Sequence, residues 1–176
     1  MGYFALALRL TLAAVCLVAA VGKLGGRRSV RAFARMLTDV GVPPRAVPTV
    51  GGFVVGTEFA VAALVPWRPT ALPGSLLAVG LFAVLTAGTG RAVSRGSTAT
   101  CRCFGGRGRR LGRDHVVRNA VLTAAAVAAA ATARGAVPGA HPVGFAGAVA
   151  AAALSTLMVV YWDDIVGPAL SRKGQP

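Results

Sequence analysis

Five stretches of the chain are apolar for about 20 residues each, the length at which a helix rising about 1.5 Å per residue crosses a hydrocarbon core. The stretches are residues 3–24, 47–66, 70–90, 115–133 and 143–162. Their length and continuity predict membrane-spanning helices. The expected fold is therefore all-α: a polytopic membrane bundle with four core transmembrane helices and a fifth.

The predicted spans divide the chain into two parts. Residues 1–135 hold the first four spans, and residues 136–176 hold the fifth span and a short C-terminal tail. Only Trp67, Arg68 and Pro69 join the second span to the third, which predicts a tight antiparallel pair with Trp67 as an interfacial anchor. The fourth and fifth spans are rich in Ala and Gly, which permits close helix packing.

Residues 27–37, between the first two spans, have the pattern of an amphipathic helix. Its apolar face would consist of Val30, Phe33, Ala34 and Leu37, and its basic face of Arg27, Arg28, Arg31 and Arg35. Such a helix is expected to lie on the inner leaflet of the membrane. The Gly41 and Pro43-Pro44 positions would then end it.

Composition supports a membrane protein. Of the 176 residues, 55% are hydrophobic and 14% are charged, which excludes a disordered basic tail and argues against a soluble nucleic-acid-binding module. The net charge of +14 would by itself suggest nucleic acid as a partner. Because nearly all the basic residues fall between the spans, we expect them to contact membrane lipid and to set the topology, with no nucleic acid bound.

The distribution of Lys and Arg predicts an orientation in the cell membrane. Fifteen of these residues fall in the first and third connections and in the tail, whereas Arg68 and Arg134 fall on the opposite side. The positive-inside rule then places the N-terminus outside and the C-terminus in the cytoplasm. The connection that contains Cys101 and Cys103 would face the cytoplasm.

Cys101 and Cys103 are the first candidates for chemistry, because they lie one residue apart in a loop with seven arginines. Neighbouring cations stabilise a thiolate, so we expect the pKa of these thiols to fall from about 8.5 toward neutral. A bridge between residues i and i+2 requires a bend and is strained, which favours an exchange catalyst over a structural disulfide. Two alternatives remain: unrelated free thiols, and a metal site for which His115 would be the nearest further ligand.

Ionisable residues at membrane depth are the second feature. Glu58 lies near the middle of the second span, and Arg118 and Asn119 lie in the first turn of the fourth, beside Asp114 and His115. A carboxylate in hydrocarbon is costly and usually faces a partner inside the bundle. Glu58 is expected to be protonated or to pair with Arg9, Lys23 or Arg118, in a role that is either structural or connected with the thiols.

Cys16, in the middle of the first span, is the third feature. A single cysteine in a membrane helix is usually a small hydrophobic residue. As an alternative, it would serve as a relay partner for Cys101 and Cys103. No motif predicts a cofactor; a quinone would also complete such a relay, but no residue pattern supports one.

These motifs, in this order, resemble the methylamine-utilisation MauE family, which is related to DoxX-like membrane proteins. The resemblance covers residues 1–135 and is most specific at Cys101-Arg102-Cys103-Phe104-Gly105, followed by Arg118-Asn119. It also includes Lys23-Leu24, Phe33, Gly41-Val42-Pro43 and Glu58.

The resemblance implies a four-helix membrane protein that acts with a thioredoxin-like partner. In the family, this pair matures the disulfide-rich small subunit of methylamine dehydrogenase, and other members are thought to serve other exported thiol systems. By this resemblance Cys101 and Cys103 would be the redox pair, and Arg118-Asn119 a motif of unknown role. We expect the pair to be supported by Glu58, Arg118, Asn119 and Cys16. The fifth span is an addition to the family pattern.

The expected function is thiol-disulfide redox chemistry for an exported protein, with enzymatic activity left open. A cytoplasmic Cys101–Cys103 loop and an exported client require electrons to cross the membrane or the loop to enter the bundle. Two other functions remain as alternatives: a non-catalytic assembly or chaperone subunit, and a small-molecule carrier that uses Glu58.

Overall fold

The computed structural model describes residues 2–96, 100–101, 109–110, 112–135 and 141–162. The helices within these ranges are α1 (Gly2–Leu24), α2 (Arg27–Asp39), α3 (Val47–Leu64), α4 (Ala71–Ser94), α5 (Arg113–Ala131) and α6 (Pro142–Val160). Between α4 and α5, the two-residue strands β1 (Thr100–Cys101) and β2 (Arg109–Arg110) pair antiparallel. The predicted all-α fold class is confirmed.

Length and apolar composition make α1, α3, α4 and α6 candidate membrane-spanning helices. The helix α5 has 19 residues and packs beside them, but its first two turns carry five polar residues. They are Arg113, Asp114, His115, Arg118 and Asn119. All five predicted spans are therefore helices of a polytopic membrane bundle, and hydropathy alone would miss α5. The first residue of α5 is Arg113. Its second turn therefore contains Arg118 and Asn119, one turn later than expected.

The buried core lies between α1, α3, α4 and α5. Its fully buried side chains include Leu12 of α1, Val61 of α3, Ala78 of α4 and Ala126 of α5. The helix α6 packs mainly along α1 and leaves large apolar side chains such as Val143 exposed. This arrangement agrees with the predicted four core helices and a fifth.

Charged groups hold both ends of α5. Asp114 lies in the first turn, where a carboxylate interacts favourably with the positive end of the helix dipole. At the other end, the buried Arg9 guanidinium donates hydrogen bonds to the carbonyl oxygens of Thr132 and Ala133, at 3.1 and 3.0 Å. Arg68 donates to the carbonyl of Gly135 at 2.9 Å. These arginines bind carbonyl groups that the end of a helix leaves without partners.

The helix α2 connects α1 to α3 along one end of the bundle. It ends before Gly41, whose φ of 100° lies in the left-handed region that favours glycine. The N–H of Val42 then donates to the carbonyl of Leu37 at 2.9 Å. The predicted apolar face of α2 lies toward α3, where Gly51 approaches Phe33 and Leu37. The strand β1 also contacts α2, so we call this end of the bundle the α2 end.

The turn between α3 and α4 is as tight as the sequence predicts. Thr70 donates a hydrogen bond from its hydroxyl to the carbonyl of Leu64 at 2.7 Å, which folds the start of α4 back on the end of α3. Gly74, in the next turn, faces Leu64 and Val65 at close range. A Cβ atom at position 74 would lie 2.9 Å from Leu64 Cβ and 3.0 Å from the Val65 nitrogen.

We therefore expect Gly74→Ala to destabilise the protein by about 1–3 kcal/mol, the usual cost of overpacking a well-packed contact. Gly80→Ala is the matched control, because nothing lies within 4 Å of a Cβ at that position of the same helix. Unfolding of both variants in detergent micelles measures the difference. Equal stability of the two variants would contradict the close packing of α3 on α4.

Candidate functional site

A small cavity of about 50 Å³ lies between the core helices at the α2 end, and most of its inner surface is apolar. We call it the polar cavity after the polar residues that line it: Cys16, Lys23, Glu58, Thr89, His115, Arg118 and Asn119. Apolar side chains, including Phe33, Met36 and Phe82, complete the wall. A cavity of this size has room for a small number of water molecules. The structure thus brings together four residues singled out in the sequence: Cys16, Glu58, Arg118 and Asn119.

The central contact of the polar cavity is an ion pair between α1 and α3. Lys23 Nζ donates to Glu58 Oε1 at 2.5 Å, and the two side chains are only 4% and 3% exposed. The same ammonium group lies 3.4 Å from the carbonyl oxygen of Ala19 and 5.4 Å from the centre of the Phe33 ring. These contacts compensate a lysine taken out of water, and the ring face adds a cation–π attraction.

Of the three basic partners expected for Glu58, the structure places Lys23 against it. Arg9 cannot reach Glu58, because it lies 14 residues before Lys23 in the same helix, about 21 Å away along the axis at a rise of about 1.5 Å per residue. Its guanidinium instead caps α5 at the opposite end of the bundle. Arg118 lines the same polar cavity as Glu58.

The polar residues of α5 reach the polar cavity because of their spacing. His115, Arg118 and Asn119 stand at positions i, i+3 and i+4, which share one face of a helix. All three are buried, His115 and Arg118 to within 2% of complete burial. His115 Nδ1 lies 3.2 Å from Asp114 Oδ1. A helix turned in this way directs its polar face inward and its Ala-rich remainder against α4 and α1.

Cys16 lies on the same wall, one turn of α1 before Ala19, and its side chain is 1% exposed. It also belongs to the apolar core, in contact with buried residues of the neighbouring helices. Its position fits the prediction of a small hydrophobic residue of the core, and the relay role stays a prediction.

The two cysteines of the predicted redox pair are described only in part. Cys101 stands in β1 opposite Arg109 of β2, and β1 contacts α2. Cys103 lies outside the described residues. The β1–β2 pairing leads into α5 through Gly112, so Cys101 enters the structure at the α2 end, where the polar cavity also lies.

The charges around the polar cavity have a positive excess. Lys23 and Arg118 contribute two cations, and Glu58 contributes one carboxylate among its lining residues. The carboxylate of Glu58 compensates one of these cations at short range. Among the described residues, no group of three or more His, Cys, Asp or Glu side chains is placed to hold a metal ion.

Sequence reasoning did not assign Phe33, Met36 and Thr89 to this site. Phe33 appeared as part of an amphipathic face and of the family resemblance, and nothing in the sequence indicates that α2 folds back to close the polar cavity. Thr89 carries no recognisable signal, and its hydroxyl donates to the carbonyl of Leu85 in its own helix at 2.8 Å.

Comparison with known proteins gives one match. The family model described as methylamine utilisation protein MauE matches residues 1–134. This range includes every residue of the polar cavity and both Cys101 and Cys103, and it ends before α6. No curated protein and no solved structure matches the chain significantly.

Removing one partner of the Lys23–Glu58 pair should be strongly destabilising. We expect Glu58→Gln to lower the free energy of unfolding by about 3–5 kcal/mol, because it leaves a buried ammonium without its counter-ion. Replacing both partners together, as Lys23→Met with Glu58→Met, should cost less than either single change. A double-mutant cycle of unfolding in detergent micelles measures the coupling.

Thr57→Val is the control for this cycle. Thr57 is the buried neighbour of Glu58, and its hydroxyl donates to the carbonyl of Phe53 within α3. We expect this variant to lose about 1 kcal/mol or less, since only one neutral hydrogen bond is removed. Additive effects of the two single replacements at positions 23 and 58 would mean that the two side chains do not interact.

Proposed function

This chain belongs to the MauE family of methylamine utilisation proteins, and from that membership and its polar cavity we propose that it carries out thiol–disulfide exchange during maturation of an exported protein. It is a polytopic helical membrane protein, and its family supports a place in methylamine utilisation. The proposed exchange pair is Cys101 and Cys103.

The observation that carries the proposal is the common location of Cys101 and the polar cavity. The strand that contains Cys101 contacts α2, and three residues after β2 the chain begins α5, whose first two turns supply His115, Arg118 and Asn119. Buried cations near a thiol favour the thiolate, which is the form that attacks a disulfide.

The proposed reaction is an exchange between two dithiol–disulfide pairs. The thiolate of one cysteine attacks a sulfur of the partner's disulfide, forms a mixed disulfide and releases the partner's other sulfur as a thiolate. The second cysteine then attacks the mixed disulfide, which leaves the chain oxidised and the partner reduced; the reverse sequence oxidises the partner. A thioredoxin-like exported protein has the chemistry of such a partner.

The electrostatic role of the polar cavity is to support this chemistry. Arg118 and Lys23 supply positive charge, and Glu58 compensates the charge of Lys23 in the core. Asn119 adds a neutral amide to the wall. Cys16 lies among these groups as the relay thiol that electron transfer across the bilayer would need.

The Lys23–Glu58 contact argues against the carrier alternative, and the cysteines distinguish the assembly alternative. A carrier that uses Glu58 needs a carboxylate available to its cargo, whereas this carboxylate already holds a counter-ion at 2.5 Å. A non-catalytic assembly subunit would leave the cysteines dispensable. Cysteine replacement therefore separates the proposed function from the assembly alternative.

We expect Cys103→Ser to trap the partner as a mixed disulfide with Cys101, because the second cysteine is no longer present to resolve it. The adduct should run as a heavier species that disappears with reductant. The double variant Cys101→Ser/Cys103→Ser should lose both the adduct and client maturation while the membrane protein still accumulates. Full client maturation in the double variant would contradict the exchange role and favour the assembly alternative.

Two further measurements refine this test. Alkylation at pH 7 should be faster for Cys101 or Cys103 than for an unperturbed thiol, and a chelator should not change its rate; acceleration by a chelator would indicate bound metal instead.

Cys16→Ala should still form the trapped adduct in the Cys103→Ser background. If Cys16 is the relay thiol, multiple turnover is lost while the adduct persists.

The orientation proposed from charge places the loop with Cys101 and Cys103 in the cytoplasm. A membrane-impermeant thiol reagent should then label these cysteines in lysed cells and leave them unlabelled in intact cells, with the cavity residue Cys16 replaced by Ala to remove its signal. A cysteine introduced at Arg134, on the opposite side by the same count, is the matched positive control. Labelling of Cys101 in intact cells would reverse the orientation.

A further inference from the structure

The helix α2 covers the polar cavity at its own end of the bundle. It supplies Phe33 and Met36 to the cavity wall, and the same wall contains the side chains of Lys23, Glu58 and Cys16. These last three residues are at most 4% exposed. The polar groups of the cavity are therefore out of reach of solvent while α2 lies in this position.

The attachment of α2 differs from that of the core helices. Lys23 and Glu58 join α1 to α3, and Arg9 joins α1 to the end of α5. The hydroxyls of Thr86 and Thr123 lie 3.3 Å apart and join α4 to α5. Within the part of the chain that the structure describes, no hydrogen bond or ion pair joins α2 to another helix.

Packing beneath α2 is also loose. Leu37 is the one buried residue of its 13, and a space of about 330 Å³ lies between α2, the end of α1 and the first half of α3. The closed position is held by apolar contacts and by the Lys23 ammonium, 5.4 Å from the centre of the Phe33 ring. An element with few buried apolar contacts opens at a lower free-energy cost than the core around it.

Glycines flank α2 at both ends. Gly26, immediately before its first residue, has a φ of 125°, and Gly41, two residues after its last, has a φ of 100°. Glycine adopts positive and negative φ with similar ease, so both connections can change direction without a steric penalty. The helix can therefore turn as a rigid unit about the line that joins its ends.

We propose that α2 is a lid on the polar cavity, which swings away from the bundle about Gly26 and Gly41 and admits water and small polar solutes to Lys23 and Glu58. Hydration of these two charged groups offsets the lost contact with the Phe33 ring, because a charge is better solvated by water than by an apolar wall. The lid is independent of thiol–disulfide exchange, since it controls entry to the cavity for any solute.

The test measures whether Cys16 becomes accessible from water when α2 is free and not when α2 is fixed. A Cβ at position 51 lies 3.5 Å from Leu37 Cδ1, so the double variant Leu37→Cys/Gly51→Cys brings two thiols close enough to bridge α2 to α3. The full-length protein, with Cys101→Ser and Cys103→Ser, is held in nanodiscs and treated with the anionic reagent sulfonatoethyl methanethiosulfonate, which does not enter hydrocarbon. Peptide mass spectrometry measures the modification of Cys16 and confirms the bridge.

We expect the bridge to slow modification of Cys16 by about tenfold or more, because the open position is no longer reached. Leu37→Ser/Gly51→Cys is the matched control, which removes the same leucine and cannot form the bridge. Equal rates in the bridged protein and the control would overturn the lid and indicate another route into the cavity. No modification of Cys16 in the control would also overturn it, since the cavity would then stay closed.

A spin-label measurement tests the lid with its packing residues intact. With the three native cysteines replaced, labels are attached to Arg31→Cys in α2 and Arg91→Cys in α4, both at exposed positions. The control pair is Thr49→Cys in α3, also exposed, with the same Arg91→Cys. We expect two distances for the pair 31–91 and one for the pair 49–91. A distribution for 31–91 as narrow as that for 49–91 would show that α2 does not move, and would overturn the proposal.

Discussion

The contact on which the rest of this protein depends is the buried ion pair between Lys23 and Glu58. It joins the end of α1 to the middle of α3, and each side chain would be too costly to bury without the other. Lys23 also lines the polar cavity. Through its contact with the Phe33 ring, the same ammonium connects α2 to the core. The pair therefore fixes three helices and supplies the charge around which the proposed chemistry is organised.

The second constraint is the polarity of α5. Its first two turns carry charges that hydrocarbon does not tolerate, so the helix is stable only where other groups meet them. The residues His115, Arg118 and Asn119 line the polar cavity, where they meet other polar groups. At the other end of α5, the Arg9 guanidinium binds the last backbone carbonyls. The helix with the lowest hydropathy among the long helices is thus packed in the core, and the strongly apolar α6 lies at the periphery.

This arrangement connects stability with function in the proposed mechanism. The cations that favour a thiolate are held by contacts that also hold the fold together, so replacement of a charged residue is expected to affect both. The glycine positions in α3 and α4 act on packing without removing a charge. Gly74 and Gly80 are therefore better positions than Lys23 or Glu58 for testing helix packing separately from charge.

The sequence alone determined the all-α membrane fold, since runs of about 20 apolar residues can satisfy their backbone in a bilayer only as helices. It also singled out Cys16, Glu58, Arg118 and Asn119, because polar groups at membrane depth stand out against apolar neighbours. Tertiary structure decided that these residues share one cavity, that Glu58 pairs with Lys23, and that Arg9 caps α5. Periodicity specifies which face of a helix is polar, whereas the partner of that face depends on helix rotation and on how α2 folds back. The rotation of each helix and the path of α2 depend on packing between residues distant in the chain, which no local pattern encodes.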